Sequence, residues 1–284
     1  MSKTKNRNNP GNHNNPSNPS NPNSNKPGNA RERLQYEREA QARKQVRMRR
    51  IGIGSTVVAV VAVGAVVAVA LAGNSGGSAG AGQPLVIPAH ASGPDGTVIV
   101  YGNPNAKHTL DVWEDFRCPI CDKLEKADGP TIKQLADNGT YKIQYHMATF
   151  LDNNLGGTGS MDALEVAGAA LNEGGPTAFK EFHDVLYANQ PSEETDGFGN
   201  LNTLLDLAKK VPGLVTPQFT KDVENRVFAP WAAKVSDAFN SSGIQGTPTL
   251  KLDGQVLNVF DNSSNPVTPA QYTGLVQQAV GTNK

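Results

Sequence analysis

Two hydrophobic periods alternate along the C-terminal part of the chain, and the switches between them predict its elements. Leu110, Val112 and Glu114 fall on one face at period two, with Asp111, Trp113 and Asp115 on the other, which predicts a strand. After Cys118 the period lengthens: Pro119 suits a first helical position, and Ile120, Leu124 and Ala127 follow at helical spacing. This helix is expected to kink at Gly129 and Pro130, pass Ile132 and Leu135, and stop near Asn138 and Gly139. Residues 97–101 before it and 141–147 after it read as strands. Strand, helix, strand in that order predicts a right-handed crossover and a parallel pair.

The middle of the chain is helical in pattern. Ser160 is placed to cap a helix in which Leu164, Ala167 and Leu171 share a face, and the run Gly174, Gly175, Pro176 ends it. Phe179, Phe182 and Leu186 resume the helical spacing, and further helices are expected over 201–211, 217–227 and 230–239. A hairpin follows, with Leu250 and Leu252 before the Asp253-Gly254 turn and Val256 after it. Pro248 at the mouth of that strand calls for a cis bond or an edge position. Thr268 and Pro269 open a closing helix that runs to Val280.

Composition changes the picture upstream. Residues 1–29 hold almost only Asn, Pro, Ser, Gly and Lys, with no large apolar residue after Met1, so they are expected to be a disordered tail. Residues 30–50 are basic and rich in helix formers, which predicts a juxtamembrane helix. Residues 51–72 contain no charge and, as a helix, would be roughly 33 Å long at about 1.5 Å per residue, enough to cross a hydrocarbon core of about 30 Å. That predicts a retained single transmembrane helix, since some fifty mostly polar residues precede it where a cleaved signal would start sooner. It also accounts for the basic segment better than nucleic-acid binding does. Twelve Lys and Arg stand against three Asp and Glu before the span, and fourteen against 23 after it. The N-terminus is therefore expected in the cytoplasm and the C-terminal portion outside the cell membrane. Residues 73–95, rich in Gly, Ser, Ala and Pro, read as a flexible linker, and 96–284 as the folded domain.

The chain has two cysteines, Cys118 and Cys121, at the strand-to-helix switch. A helix N-terminus aims unpaired N–H groups and the positive end of its dipole at Cys118, which favours the thiolate. Cys121, one turn on, faces it as the natural resolving thiol. An inert structural disulfide would close too short a loop to stabilise much. Zinc lacks a second ligand pair, and copper held by the two thiols and a distant histidine is a remaining alternative. Thiol and disulfide exchange fits the spacing best, and an oxidising compartment outside the cytosol lets such a disulfide persist.

Three stretches then match a known pattern in order: Glu114-Asp115-Phe116-Arg117-Cys118-Pro119-Ile120-Cys121, Phe182-His183-Asp184-Val185-Leu186-Tyr187-Ala188-Asn189-Gln190-Pro191, and Gly246-Thr247-Pro248-Thr249-Leu250. With them the chain resembles the DsbA-like thiol:disulfide oxidoreductases, here as a membrane-anchored member. The resemblance implies an α/β thioredoxin-like fold with an inserted helical subdomain, at about 159–241. It implies Cys118 as the exposed nucleophile, Cys121 as the buried resolving cysteine, and Pro248 as a cis-proline beside them. Thr247 would offer backbone groups to an extended substrate, and Pro119 and Ile120 would tune the thiolate.

Two departures from the pattern matter. The best-known oxidants carry histidine where Ile120 stands, and without that donor the thiolate is stabilised less, giving a weaker oxidant. The buried acid often found six residues before the first cysteine is Val112 here. Glu114, on the same face, is the candidate to take over proton transfer for Cys121, with a solvated surface position as the alternative. His183 reads as a packing or capping residue, His146 as able to approach the site, and His108 and His90 as surface residues. The expected activity is a protein disulfide oxidoreductase outside the cytoplasm, acting chiefly as an oxidase on unfolded or thiol-containing secreted proteins. It would be re-oxidised by a membrane quinone-linked thiol oxidase, with no metal and no cofactor beyond the Cys118 and Cys121 pair. A reductase or isomerase in the same compartment, and a non-catalytic binding module on the same fold, are the alternatives.

Overall fold

The computed structural model describes residues 83–93 and 95–282, all within the unit Gly73–Lys284. The tail 1–29, the basic helix 30–50, the span 51–72 and the first part of the linker lie outside the described residues. Among those described, no helix is long and apolar enough to cross a membrane. From Gln83 the stretch read as linker is bonded to the domain: its side chain donates to the Asn225 carbonyl (3.1 Å), and the Ala89 N–H donates to Asn172 Oδ1 (3.0 Å). Its partners lie far along the chain, so composition alone reads it as a tether.

Strands β1 (Ile99–Tyr101), β2 (Thr109–Asp115), β3 (Lys142–Ala148), β4 (Thr249–Leu252) and β5 (Gln255–Val256) form one sheet in the order β1-β3-β2-β4-β5. β2 and β3 are parallel, with Leu110 opposite Ile143 and Glu114 opposite Met147, and the other pairs are antiparallel. Helix α1 (Pro119–Asp137) makes the crossover between them. It runs through Gly129 and Pro130 to Asp137, and Gly139 (φ 75°) turns the chain into β3. At the hairpin, Asp253 and Gly254 both have positive φ (49° and 81°), the turn whose twist matches that of the flanking strands.

Between β3 and β4 the chain is helical: α2 (Phe150–Leu155), α3 (Gly159–Ala188), a short 3-10 turn (Gly197–Gly199), α4 (Leu201–Ala208), α5 (Pro217–Glu224) and α6 (Ala229–Ser241). α7 (Pro269–Thr282) closes the domain. α3 breaks at Gly175 (φ 69°, ψ −163°), where the sequence expects an end. Ser160 is not its cap. The residue at the cap position is Thr158, and the first N–H groups are taken by distant carboxylates: Thr158 and Gly159 donate to Asp196, Ser160 and Met161 to Asp152. α2 carries too few periodic positions to be legible in sequence.

The face of the sheet carrying Leu110, Val112, Ile143, Tyr145, Leu250 and Leu252 is buried in one cluster with Leu124 and Ile132 of α1 and Phe179 and Phe182 of α3. The opposite face carries Trp113, packed with Ala148 and with Phe239 of α6. α3 and α6 approach closely at Gly168, where a side chain's first carbon would stand 2.6 Å from the Trp231 ring. That ring in turn donates its N–H to the Gly96 carbonyl at 2.6 Å.

Candidate functional site

Cys118 is the N-cap of α1 and Pro119 its first residue. The Cys118 sulfur accepts the Cys121 N–H at 3.4 Å, and its thiol points at the Thr247 carbonyl, 3.5 Å away. Thr247 precedes Pro248 through a cis peptide bond. The antiparallel pairing of β4 with β2, Thr249 opposite Trp113, brings this loop to the cysteines. Both thiols are free. Cys118 is only 6% exposed and Cys121 is fully buried, so the expected exposed nucleophile shows solvent no more than an edge, with the Thr247 carbonyl and the Cys121 N–H in contact with its sulfur.

The two sulfurs are held in different protonation states. A hydrogen bond from the Cys121 thiol is the largest influence on Cys118; with Thr247 and the N–H groups of Cys121 and Ile120 it outweighs burial and lowers the Cys118 thiol to about 7. Burial, then that same thiol contact, pushes Cys121 well above its usual value, and Glu114 pushes it further. One sulfur is an acid near neutrality, and the other keeps its proton.

A family model described as Thioredoxin matches residues 95–278. The chain belongs to the thioredoxin family. It is 28% identical over 162 residues to disulfide bond formation protein D of Bacillus subtilis, covering 57% of this chain and 70% of that one. The fold matches reduced DsbA from Mycobacterium tuberculosis (TM-score 0.53, 23% identity, 65% of this chain and 93% of that one). It also matches MdbA, a thiol-disulfide oxidoreductase from Corynebacterium diphtheriae (TM-score 0.54, 20% identity, 69% and 98%). Within the thioredoxin family this chain is a DsbA-like disulfide oxidoreductase.

Around the thioredoxin-family cysteines lie residues whose roles sequence reasoning did not foresee. Gln190, just past α3, donates from one amide nitrogen to the Phe116 carbonyl (2.9 Å) and the Cys118 carbonyl (3.0 Å), clamping the turn into α1. The Arg117 guanidinium is buried and donates to Asp152 (2.7 Å) and to the carbonyls of Gly156 (2.8 Å) and Glu193 (3.2 Å), with Asp196 at 3.4 Å. The Asp115 carboxylate accepts from Ser160 Oγ (2.6 Å) and from the N–H groups of Arg117 (2.9 Å) and Leu151 (3.2 Å). Burial raises its carboxyl to about 6 despite these donors. Ile120 packs half-buried against the core beside the cysteines.

Glu114 is completely buried, which removes the solvated alternative. Its Oε2 meets His183 Nε2 at 2.9 Å, and its Oε1 has no hydrogen-bond partner among the described residues. Burial, then the charge of Glu125, raises the carboxyl well above the usual range, against the opposing contact with His183. His183 is ringed by Phe116, Tyr145, Phe179 and Tyr187. Glu114, Glu125 and His183 each bring one ligand atom within 4.8 Å of the others. Lys180, 3.7 Å from Glu125, already supplies a cation there, and neither cysteine belongs to this group. His146 sits on the other face of the sheet, 2.8 Å from Asp111 and stacked on Trp113, and does not approach the site. His108 pairs with Asp253 at 2.7 Å.

Proposed function

We propose that this oxidoreductase works outside the cytoplasm, held to the cell membrane by residues 51–72, and exchanges disulfides with thiol-containing secreted or membrane proteins, chiefly as their oxidant. The observation that carries the exchange itself is the pairing of a Cys118 thiol near 7, set against the Thr247 carbonyl before the cis Pro248, with a buried Cys121. A substrate thiolate attacks Cys118 Sγ, the bond between the two cysteines breaks, and Cys121 leaves as a thiolate that takes up a proton, for which Glu114 is the donor. A second substrate thiolate then attacks the substrate sulfur of the mixed disulfide. The substrate departs oxidised, and Cys118 leaves as a thiolate, a good leaving group because it is acidic. A membrane quinone-linked thiol oxidase then removes two electrons from the pair, the Cys121 proton returning to Glu114, to restore the disulfide, and no bound cofactor takes part. Pro119 and Ile120 shape the first helical turn that donates to the thiolate, and the backbone at Thr247 and Pro248 receives the substrate as an added strand.

Trapping tests this. Cys121→Ala in the full chain, expressed under oxidising conditions, is expected to retain substrates on Cys118 as mixed disulfides recoverable by mass spectrometry; a folded variant that retains none removes the exchange role. A second direction has its own support, since a Cys118 value of about 7 matches thioredoxin (about 7) better than the strongest oxidants (about 3.5). The standard potential decides: near about −120 mV the protein oxidises, near about −270 mV it reduces.

A further inference from the structure

A buried carboxyl that exchanges a proton with Cys121 must also exchange it with solvent, and Glu114 is fully enclosed. The route out runs through His183. His183 Nε2 lies 2.9 Å from Glu114 Oε2, and His183 Nδ1 lies 3.3 Å from Asp184 Oδ1. The Asp184 side chain is 43% exposed, whereas His183 and Glu114 are at 0%. The imidazole therefore bridges a sealed carboxyl and a wet one. It is the side chain suited to that task, because its two nitrogens take and release protons on opposite sides of one ring.

We propose that His183 is a positioning residue for the disulfide exchange, relaying the Cys121 proton between Glu114 and solvent at Asp184. The proposal rests on the exchange reading above. When Cys121 resolves a mixed disulfide, its S–H proton passes to the unpartnered Oε1 of Glu114, and its sulfur bonds to Cys118 Sγ. The bond from Cys118 to the substrate sulfur breaks, and the substrate leaves as a thiolate. Glu114 and His183 share one proton across their contact, and a proton departs from His183 Nδ1 through Asp184 to water. Opening of the disulfide runs the same path in reverse. No oxidant or reductant beyond the exchanging thiols is involved.

The groups that face His183 support this division of labour. From β2 comes Glu114, from α1 Glu125 (4.0 Å from Nδ1), from β3 Tyr145, and from its own helix Lys180, Asp184 and Tyr187. Lys180 bonds Asp184 and lies 3.7 Å from Glu125. Its own affinity for a proton is raised by those carboxylates, so it stands as a fixed cation. His183 is drawn toward its charged form by Asp184 and Glu114 and away from it by burial and Lys180. The net effect is upward, to about 9, so the ring holds a proton near neutrality and passes one on at Nδ1 as another arrives from Glu114.

The test separates the two steps of exchange. Reduced full-length protein is mixed with oxidised glutathione, and formation of the Cys118 mixed disulfide and release of glutathione by Cys121 are followed separately between about pH 5 and 9. His183→Gln keeps a donor toward Glu114, at the position of Nε2, but cannot carry a proton through. It is expected to slow release by roughly tenfold near pH 6, with the deficit closing as pH rises, while formation of the mixed disulfide changes less than about twofold. Asp184→Asn, at the exposed end, should show the same pH-dependent deficit in weaker form, and decides the matter if the His183 variant does not fold. A release profile in either folded variant that superimposes on the parent, or an equal loss in both steps at every pH, overturns the relay. Failure of the parent protein to form the mixed disulfide at all would instead remove the exchange reading itself.

Discussion

At Cys118 two opposing influences meet: the N–H groups and thiol that favour a thiolate, and the burial that disfavours it, with the former winning to about 7. A thiol at that value is about half ionised at neutral pH, where an ordinary cysteine is mostly protonated. The rate of iodoacetamide alkylation of the reduced protein should therefore rise through a midpoint near pH 7 and level off above it. Ile120 supplies only its backbone N–H to this balance. Ile120→His adds a cationic donor at the helix N-terminus and should move the midpoint down by about one pH unit. Because the reduced state is then favoured more, the same variant should be the stronger oxidant, read from its equilibrium with glutathione. A midpoint unmoved by histidine would mean that the side chain at 120 does not face the sulfur.

At the scale of elements, the site is a junction of four segments pinned by side chains rather than by backbone ladders. Arg117 ties the β2–α1 turn to α2 through Asp152 and to the loop after α3 through the Glu193 carbonyl. Asp115 ties the same turn to Ser160 of α3, and Gln190 holds the carbonyls that precede and open α1. A buried guanidinium removed from its partners leaves a carboxylate and carbonyls without their donor. Arg117→Met is therefore expected to cost about 3 kcal/mol, measured by urea denaturation. Asp152 keeps its bonds to the Ser160 and Met161 N–H groups in that variant, which places the cost at the low end of the range for a broken buried pair. A loss smaller than about 1 kcal/mol would mark the network as peripheral to folding.

For the whole molecule, the buried acids set how stability changes with pH. Burial raises Asp115 to about 6 and Glu165 to about 7, and raises Glu114, while nearby carboxylates raise His183. A group whose folded value is raised binds its proton more tightly when folded. Its contribution is complete below the unfolded value and is lost as pH rises through the folded one. Cys118 runs the other way: its value is depressed to about 7, so its contribution is present above the unfolded value of 9.0 and lost as pH falls through 7. The oxidised protein lacks that thiol. Its urea midpoint should accordingly fall steadily from about pH 5 to about pH 8, and Glu165→Gln should flatten the upper part of the fall. A midpoint that rises over this interval would contradict the burial of these acids.

The chain's local periods determined most of the framework. Period two over Leu110, Val112 and Glu114 sets which side chains share a sheet face, and the change of period after Cys118 puts that sulfur at a helix start, because both follow from backbone geometry within a few residues. The break at Gly175 and the Asp253-Gly254 turn are legible for the same reason. What tertiary structure alone decided is which of those faces is sealed and what each polar group meets there. Glu114 finds His183 69 residues away, Cys118 finds the Thr247 carbonyl 129 away, and Gln190 reaches back 72 to the Cys118 carbonyl. The cap of α3 moved off Ser160 because two carboxylates from elsewhere reached its N–H groups first. Such pairings depend on how whole elements pack, and a buried polar atom takes whichever partner the packing delivers.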